Sequence, residues 1–365
     1  MSAQVQEQTA PTQAPKQSYG SRLGFLDWAR GWAALIMLQG HIFHSFTATD
    51  LRQGSIYNLS QFLGGMPPAI FLFLTGCTFS FLMNSNEKKG IAPWQSVLTC
   101  LRRSGYLWAL AFAFRFQLWL FGQPSSPWTD LLKVDILNCM GLTLSASALM
   151  GLWTTRQRTV RAPLVGLAIA AVSPLVTATD LTWLPTFIRS YFVPDYLQFS
   201  FFPWAAFVPF GIAFGSILRL LDHAHLERFL QWGCIAAFGL IIGGQYFGQL
   251  PYSLYTKSEF WLDSPALIFV KLGVVLLLLA IAYVWHEYGL HGRFSWIKLV
   301  GMHSLLIYWV HTEIVYGRWF WMWKENLDLK GAYSMVVAIT AFMIWLCYAW
   351  EQRRGARRAQ PLHTN

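Results

Sequence analysis

The sequence predicts an all-α integral membrane protein, a polytopic bundle of about ten transmembrane helices. Hydrophobic residues make up 55% of the 365 residues, and charged residues only 12%, against about 25% in an average soluble chain. Apolar segments of about 20 residues, the length that crosses a bilayer, recur along most of the chain. The 19 Trp and 14 Tyr residues suit aromatic belts at two membrane interfaces.

Three domains follow from this pattern. Residues 1–21 are rich in Gln, Ala, Pro, Thr and Ser and predict a disordered tail. Residues 22–350 form a single transmembrane domain, and residues 351–365 form a basic tail. The predicted spans are residues 25–48, 67–84, 98–120, 134–153, 162–179, 200–221, 229–248, 264–286, 299–320 and 332–350.

The distribution of Lys and Arg predicts the orientation of these spans. Of the 27 basic residues, 18 fall on the N-terminal side and seven on the opposite side, while Arg115 and Lys271 lie inside spans. Cytoplasmic loops carry the excess of positive charge, so both termini are expected in the cytoplasm. The formal net charge of +10 is then mostly a consequence of topology, and no nucleic-acid partner is expected.

The first span carries a polar stripe. Arg30 and His41 are eleven residues apart, which is three helical turns plus about 20°, so they share one face and are separated by roughly 16 Å of rise. Asp27 and His44 lie close to the same line. Ionisable groups inside a span usually face a bundle interior or a wet cavity. The structural alternative is a pair of juxtamembrane charges with one buried, hydrogen-bonded histidine.

The predicted topology brings further ionisable residues to the same depth. For each one alone, snorkelling or a structural ion pair is the alternative, but their convergence on the outer half predicts a site. Arg30, Arg102 and Arg103 lie at the inner interface instead. The residues in the outer half are His41, His44, Arg115, Asp135, Lys271 and His311.

Other patterns are architectural. The five cysteines lie in or beside apolar segments and lack metal-binding or disulfide spacing, so we expect no metal. Two small-residue pairs, Gly211 with Gly215 and Gly239 with Gly243, predict close helix contacts.

The residues that open the first span carry a family resemblance. Leu26-Asp27-x-x-Arg30-Gly31, followed by His41 after an Arg-x10-His spacing, resembles the opening helix of the transmembrane acyltransferase superfamily. That superfamily includes acyltransferase-3 proteins and heparan-alpha-glucosaminide N-acetyltransferase-like proteins. The segments 68–76 and 304–311 resemble later parts of the family, and the later segments favour the glucosaminide branch with its bacterial members.

The resemblance implies an enzyme, an O- or N-acetyltransferase that moves an acyl group from acetyl-CoA or another acyl-CoA to a sugar or amino sugar at the far membrane face. His41 would be the general base or the acyl carrier, and Asp27 would orient Arg30. The donor phosphates would be bound by Arg30, Arg102 and Arg103. Acceptor binding or oxyanion stabilisation would fall to His44, Arg115, Asp135, Lys271 and His311.

The expected partners are the lipid bilayer, acyl-CoA, a carbohydrate acceptor and, in a homodimer, a second copy of the chain. The expected location is a bacterial inner membrane. Two other classes stay open from the sequence alone. A transporter or exporter of a polar solute would use the same buried charges to line a path, although no pair of broken helices in matching halves supports it. The other class is a membrane-embedded structural protein.

Overall fold

The computed structural model describes residues 23–289 and 294–359. The predicted tail at residues 1–21 and the last six residues of the predicted basic tail lie outside this part of the chain. Within it, every regular element is a helix, which confirms the all-α prediction. The α-helices are α1 (Gly24–Phe46), α2 (Ser55–Gly64), α3 (Pro67–Lys88), α4 (Pro93–Phe121), α5 (Ile136–Ser147), α6 (Thr155–Ala178), α7 (Thr186–Arg189), α8 (Phe201–Trp204), α9 (Phe207–Leu220), α10 (His223–Gly248), α11 (Pro265–Val284), α12 (Trp296–Met302), α13 (Ser304–Tyr316) and α14 (Leu329–Ala359).

Seven helical stretches are long and apolar enough to cross a membrane, so the chain is an integral membrane protein. Four of them combine neighbouring helical elements into one stretch. The stretches are Ser55–Lys88, Trp128–Leu152, Thr155–Ala178, Phe201–Leu220, Ala224–Gly248, Pro265–Gly289 and Leu329–Arg354.

The other three predicted spans are helical but less apolar or interrupted. α1 has 23 residues, about 35 Å of rise, yet its polar stripe lowers its hydropathy. α4 carries three arginines along its length. The predicted ninth span is divided at His303 into α12 and α13, with seven and 13 residues.

Several helices extend beyond the predicted spans: α4, α6 and α10 begin at Pro93, Thr155 and His223, against predicted starts at residues 98, 162 and 229. The predicted start of the second span at residue 67 is confirmed by α3, which however continues to Lys88 rather than ending at residue 84. A separate short helix, α2, precedes α3 and packs along α1. A Cβ added at Gly40 would lie 2.8 Å from the Cα of Gly64, so glycine is required for this approach. At the other end of the chain, α14 continues to Ala359, beyond the predicted limit at residue 350.

α1 is the central helix, in contact with α2, α3, α11, α12, α13 and α14. Most of its residues are buried. Its first half packs against α12 at backbone distance, because side chains at Gly31 and Gly301 would overlap the Ile297 carbonyl and the Asp27 backbone. We call the end of the bundle where α1 begins the Arg30 end, and the end where α1 finishes the His41 end.

The remaining helices pair around this centre: α3 with α9, α6 with α9, α10 with α11, and α4 with α5. The predicted role of Gly211 and Gly215 is confirmed, since both face the backbone of α3. The same prediction for Gly239 and Gly243 is wrong, because within the described residues no atom lies within 4 Å of a Cβ built there. Close contact between α10 and α11 is made at Gly244 and Gly273 instead.

Candidate active site

Two histidines meet inside the His41 end of the bundle. His41 Nδ1, on α1, lies 2.9 Å from His311 Nε2, on α13. The rings are stacked, with centroids 5.2 Å apart and an interplanar angle of 18°. His311 is fully buried, whereas His41 is half-buried. Of the residues predicted for the outer half, these two are therefore in direct contact.

The hydrogen bonds of His311 determine which atoms carry protons when both rings are neutral. His311 Nδ1 lies 2.6 Å from the Ile307 carbonyl oxygen, which can only accept, so this nitrogen carries the hydrogen. His311 Nε2 must then accept, and His41 Nδ1 must donate to it. The second nitrogen of His41, Nε2, keeps its lone pair and can accept a proton or attack an electrophile.

A tyrosine and a second histidine stand next to this pair. The Tyr316 ring lies edge-on to His41 at 5.3 Å between centroids and 6.3 Å from His44. The Tyr57 hydroxyl lies 3.4 Å from His44 Nδ1. His44 and Tyr316 are exposed and His41 is half-buried between them and His311, and we call this exposed edge the opening above His41.

The segment 317–328 closes over the end of α1. Glu325 accepts from Arg52 at 3.0 Å, and its backbone nitrogen donates to the Ser45 carbonyl at 3.0 Å. The Leu327 nitrogen donates to the Phe46 carbonyl at 2.9 Å. These contacts hold the segment 317–328 against the end of α1, next to the site.

Arg30 and Asp27 form an ion pair one turn apart on α1, at 2.8 Å. Asp27 is fully buried, and the Arg30 side chain is 19% exposed. The contact places the Asp27 carboxylate against Arg30 Nη1 and leaves the arginine side chain partly exposed.

The structure does not bring the three predicted donor-binding arginines into contact. Arg102 and Arg103 are exposed on α4, which packs mainly on α5 and the turn Ala148–Leu152. Within the described residues, no hydrogen bond or ion pair joins either of them to Arg30.

Two other predicted residues pair with each other away from the histidines. Arg115 Nε lies 2.9 Å from Asp135 Oδ2, and both side chains are mostly buried. Asn138 accepts from the Asp135 backbone nitrogen at 3.3 Å and donates to the Tyr191 hydroxyl at 3.1 Å. For Arg115 and Asp135 the structure therefore gives the ion-pair arrangement that was the alternative to a substrate site.

Lys271 occupies a separate position on α11. It is 8% exposed, and its Nζ lies 4.2 Å from the centroid of the Trp204 ring. In the described part of the chain no carboxylate forms an ion pair with it. A cation held against an aromatic face is stabilised by the ring quadrupole.

Sequence reasoning missed several polar residues near the site. Tyr57 and Tyr316 lie near span ends, where tyrosine is usually a belt residue, so no local signal distinguished them. Glu313, 8% exposed, accepts from Gln117 at 3.5 Å and from Trp319 Nε1 at 3.3 Å. Glu313 lies inside the predicted span 299–320, and a carboxylate within a span is a sequence feature that could have identified it as a candidate site residue.

The family model of the catalytic domain of heparan-alpha-glucosaminide N-acetyltransferase matches residues 22–246, more than half of the chain. The chain belongs to this family. The resemblance seen in the first span is thereby confirmed. The matched residues include α1, which carries Arg30 and His41. Lys271 and His311 lie beyond the matched residues. No curated protein matches the chain.

Proposed function

We propose that the protein is a membrane acetyltransferase that moves an acetyl group from cytoplasmic acetyl-CoA to a sugar or amino sugar at the opposite membrane face. The observation that carries this proposal is the hydrogen-bonded pair of His41 and His311, which leaves His41 Nε2 with a lone pair. Membership of the N-acetyltransferase family supports the same chemistry.

The proposed topology has ten membrane crossings, with α1, α4 and the α12–α13 pair added to the seven apolar stretches. Both termini lie in the cytoplasm of a bacterial cell, and the chain resides in the inner membrane. The bias of Lys and Arg towards one side supports this orientation. The Arg30 end is then cytoplasmic, and the His41 end faces outward.

Donor binding begins at the cytoplasmic end. The part of the Arg30 guanidinium that Asp27 leaves open contacts a phosphate of acetyl-CoA. The exposed Arg102 and Arg103 attract the anionic donor without touching Arg30. The acetyl thioester reaches His41 about 16 Å farther along α1.

At His41, Nε2 removes a proton from the acceptor amine or hydroxyl as that group attacks the thioester carbonyl carbon. The new C–N or C–O bond forms, and the C–S bond breaks when the tetrahedral intermediate collapses. The leaving thiolate takes the proton from His41. In the acyl-carrier variant the same Nε2 attacks the thioester carbonyl carbon first, the C–S bond breaks, and coenzyme A leaves as a thiolate. The acceptor then attacks the acetyl carbon, the bond to His41 Nε2 breaks, and the thiolate takes the acceptor's proton. In both routes His311 accepts from Nδ1 of His41 and stabilises the charged ring.

The acceptor enters beside His44, Tyr57 and Tyr316, which surround the opening above His41. The ion pair of Arg52 with Glu325 borders the same opening. Hydroxyl, imidazole and carboxylate groups in this arrangement can hydrogen-bond the hydroxyls of a sugar.

The experiment is acetyl transfer from radiolabelled acetyl-CoA to a panel of sugars and amino sugars by purified protein in liposomes. We expect transfer by the wild type and almost none by His41→Asn, because the amide hydrogen-bonds but cannot take a proton near neutral pH. Near-parental transfer by His41→Asn would refute the mechanism. Uptake of a solute without consumption of acyl-CoA would identify a transporter instead.

A further inference from the structure

An open apolar groove lies between the segment 317–328 and α14. It has a volume of about 710 Å³. One wall consists of Trp319, Phe320 and Trp323, and the floor includes Gly331, Ala338 and Phe342. No charged side chain lines it. Small residues on α14 create the space, and the aromatic side chains border it on one side.

The groove runs along the membrane-crossing direction. Gly331 and Phe342 are eleven residues apart on α14, which corresponds to roughly 16 Å of rise. This is about half of the 30 Å hydrocarbon core. The groove therefore begins at the His41 end and reaches the middle of the span Leu329–Arg354. A channel of this direction and lining fits a single hydrocarbon chain.

Two cations flank the aromatic wall. Arg318 precedes Trp319, and Lys324 follows Trp323. Each donates to a backbone carbonyl, that of Gln123 and that of Gly317, and in the described residues neither has a carboxylate in an ion pair. The segment that supplies the aromatic wall therefore also carries two cations, which complement a phosphate attached to a hydrocarbon chain.

The groove is built partly from elements that also surround His41. Ile314, which lines it, lies three residues after His311 on α13. Leu327, also in the lining, is hydrogen-bonded through its nitrogen to Phe46 at the end of α1. The groove and the catalytic pair thus share α13 and the segment that closes over the end of α1.

We infer that this groove binds the hydrocarbon chain of a lipid-linked acceptor, a sugar joined to its lipid through a phosphate. The chain lies along α14, the phosphate meets Arg318 and Lys324, and the sugar extends towards His41. This inference rests on the proposed function and names its acceptor class. An aromatic belt alone would face the lipid without enclosing a groove.

The test compares glucosamine 1-phosphate with its octyl phosphodiester as acceptors, using the full chain in detergent. Ala338→Trp fills the groove, and Ala341→Trp, an exposed position on the same helix outside the lining, is the matched control. We expect Ala338→Trp to raise KM for the octyl acceptor about tenfold or more, since even two displaced methylenes account for such a change. Its kcat/KM for the soluble acceptor should stay unchanged, and Ala341→Trp should alter neither.

Photo-crosslinking with a diazirine on the octyl chain tests binding independently of turnover. We expect labelling of peptides from the segments 319–323 and 331–342, competed by the octyl acceptor and not by a plain phospholipid. Equal competition by phospholipid would assign the groove to bulk lipid, and loss of a dimer in Ala338→Trp would assign it to a second copy. Either result overturns the inference. Specific labelling without acetyl transfer to any acceptor would support lipid binding in the groove and refute the proposed acetyltransferase function.

Discussion

His41 and His311 are 270 residues apart in the chain, yet their ring nitrogens lie 2.9 Å from each other. The second nitrogen of His311 is bound to the Ile307 carbonyl, so the pair forms a directed chain of hydrogen bonds that ends on a backbone oxygen. An imidazole held in one tautomer by such a partner presents one defined basic nitrogen. This relationship makes His311 a positioning residue in the proposed mechanism.

The first prediction concerns that positioning role. His311→Phe keeps a ring of similar size but removes the acceptor for His41 Nδ1, so we expect kcat to fall about 10²-fold or more with little change in acetyl-CoA affinity. His311→Gln should recover part of the rate, because its amide oxygen can accept the same hydrogen bond. Single-turnover transfer and acetyl-CoA binding are the measurements. His44→Ala is the control, with a smaller defect, and wild-type kcat in His311→Phe would make His311 a packing residue.

The second prediction concerns the donor. Arg30→Ala should weaken acetyl-CoA binding about ten- to a hundredfold, the effect of losing one charge-assisted contact of 1.5–3 kcal/mol. Arg30→Ala also removes the ion-pair partner that Arg30 provides to the buried Asp27. It is therefore compared with the double variant Arg30→Ala/Asp27→Asn, in which a neutral amide replaces the Asp27 carboxylate. Isothermal titration gives Kd for both. If the double variant binds like the wild type, Arg30 acts in folding rather than in donor recognition.

Arg102→Ala provides the matched test of the exposed arginines. The proposed role of Arg102 is long-range attraction, so its effect should diminish as the salt concentration rises, whereas the loss in Arg30→Ala should persist. Equal salt dependence in the two variants would argue against a direct contact at Arg30.

The third prediction concerns the ion pair of Arg115 with Asp135. Asp135→Ala leaves a mostly buried guanidinium without its partner and should lower the free energy of unfolding by about 3–5 kcal/mol. The exposed pair of Lys133 with Asp130, at 2.8 Å, is the control, and Lys133→Ala should cost about 0–1 kcal/mol. Thermal unfolding in detergent measures both. Undiminished stability with lost transfer in Asp135→Ala would instead support a substrate-binding role for Asp135.

The fourth prediction concerns topology. In a Cys234→Ser background, the remaining cysteines are buried, so introduced cysteines report alone. Gln53→Cys, in the exposed turn between α1 and α2, should react with an impermeant thiol reagent added outside cells. Lys89→Cys, in the turn between α3 and α4, should react only after the membrane is opened. The reverse pattern would invert the proposed orientation and every depth derived from it.

The helical, membrane-embedded character of the protein could be predicted because it depends on the length and composition of single segments. The pair of Asp27 with Arg30 was predictable for the same reason, since residues three apart on one helix are neighbours. The polar stripe of α1 likewise drew attention to His41. Segment hydropathy, pairing of residues three apart and the polar face of a helix are all local properties, because each depends on residues within one helix.

The partners of these residues were decided by tertiary structure. The depth prediction put Arg115, Asp135, Lys271 and His311 at one level of the membrane, but level does not specify which helices touch. Packing of α1 against α13 joined His41 to His311, while packing of α4 on α5 joined Arg115 to Asp135. Lys271 instead lies against the aromatic ring of Trp204.

The sequence by itself therefore determined that the chain is a helical membrane protein with a polar first helix and a family resemblance to membrane acetyltransferases. Only the tertiary structure decided which histidine supports His41, where the ninth span breaks, and that a groove lies along α14. The physical reason is that hydrophobic periodicity specifies that a helix is buried, whereas the identity of its neighbours depends on the close fit of glycines and side chains between distant segments.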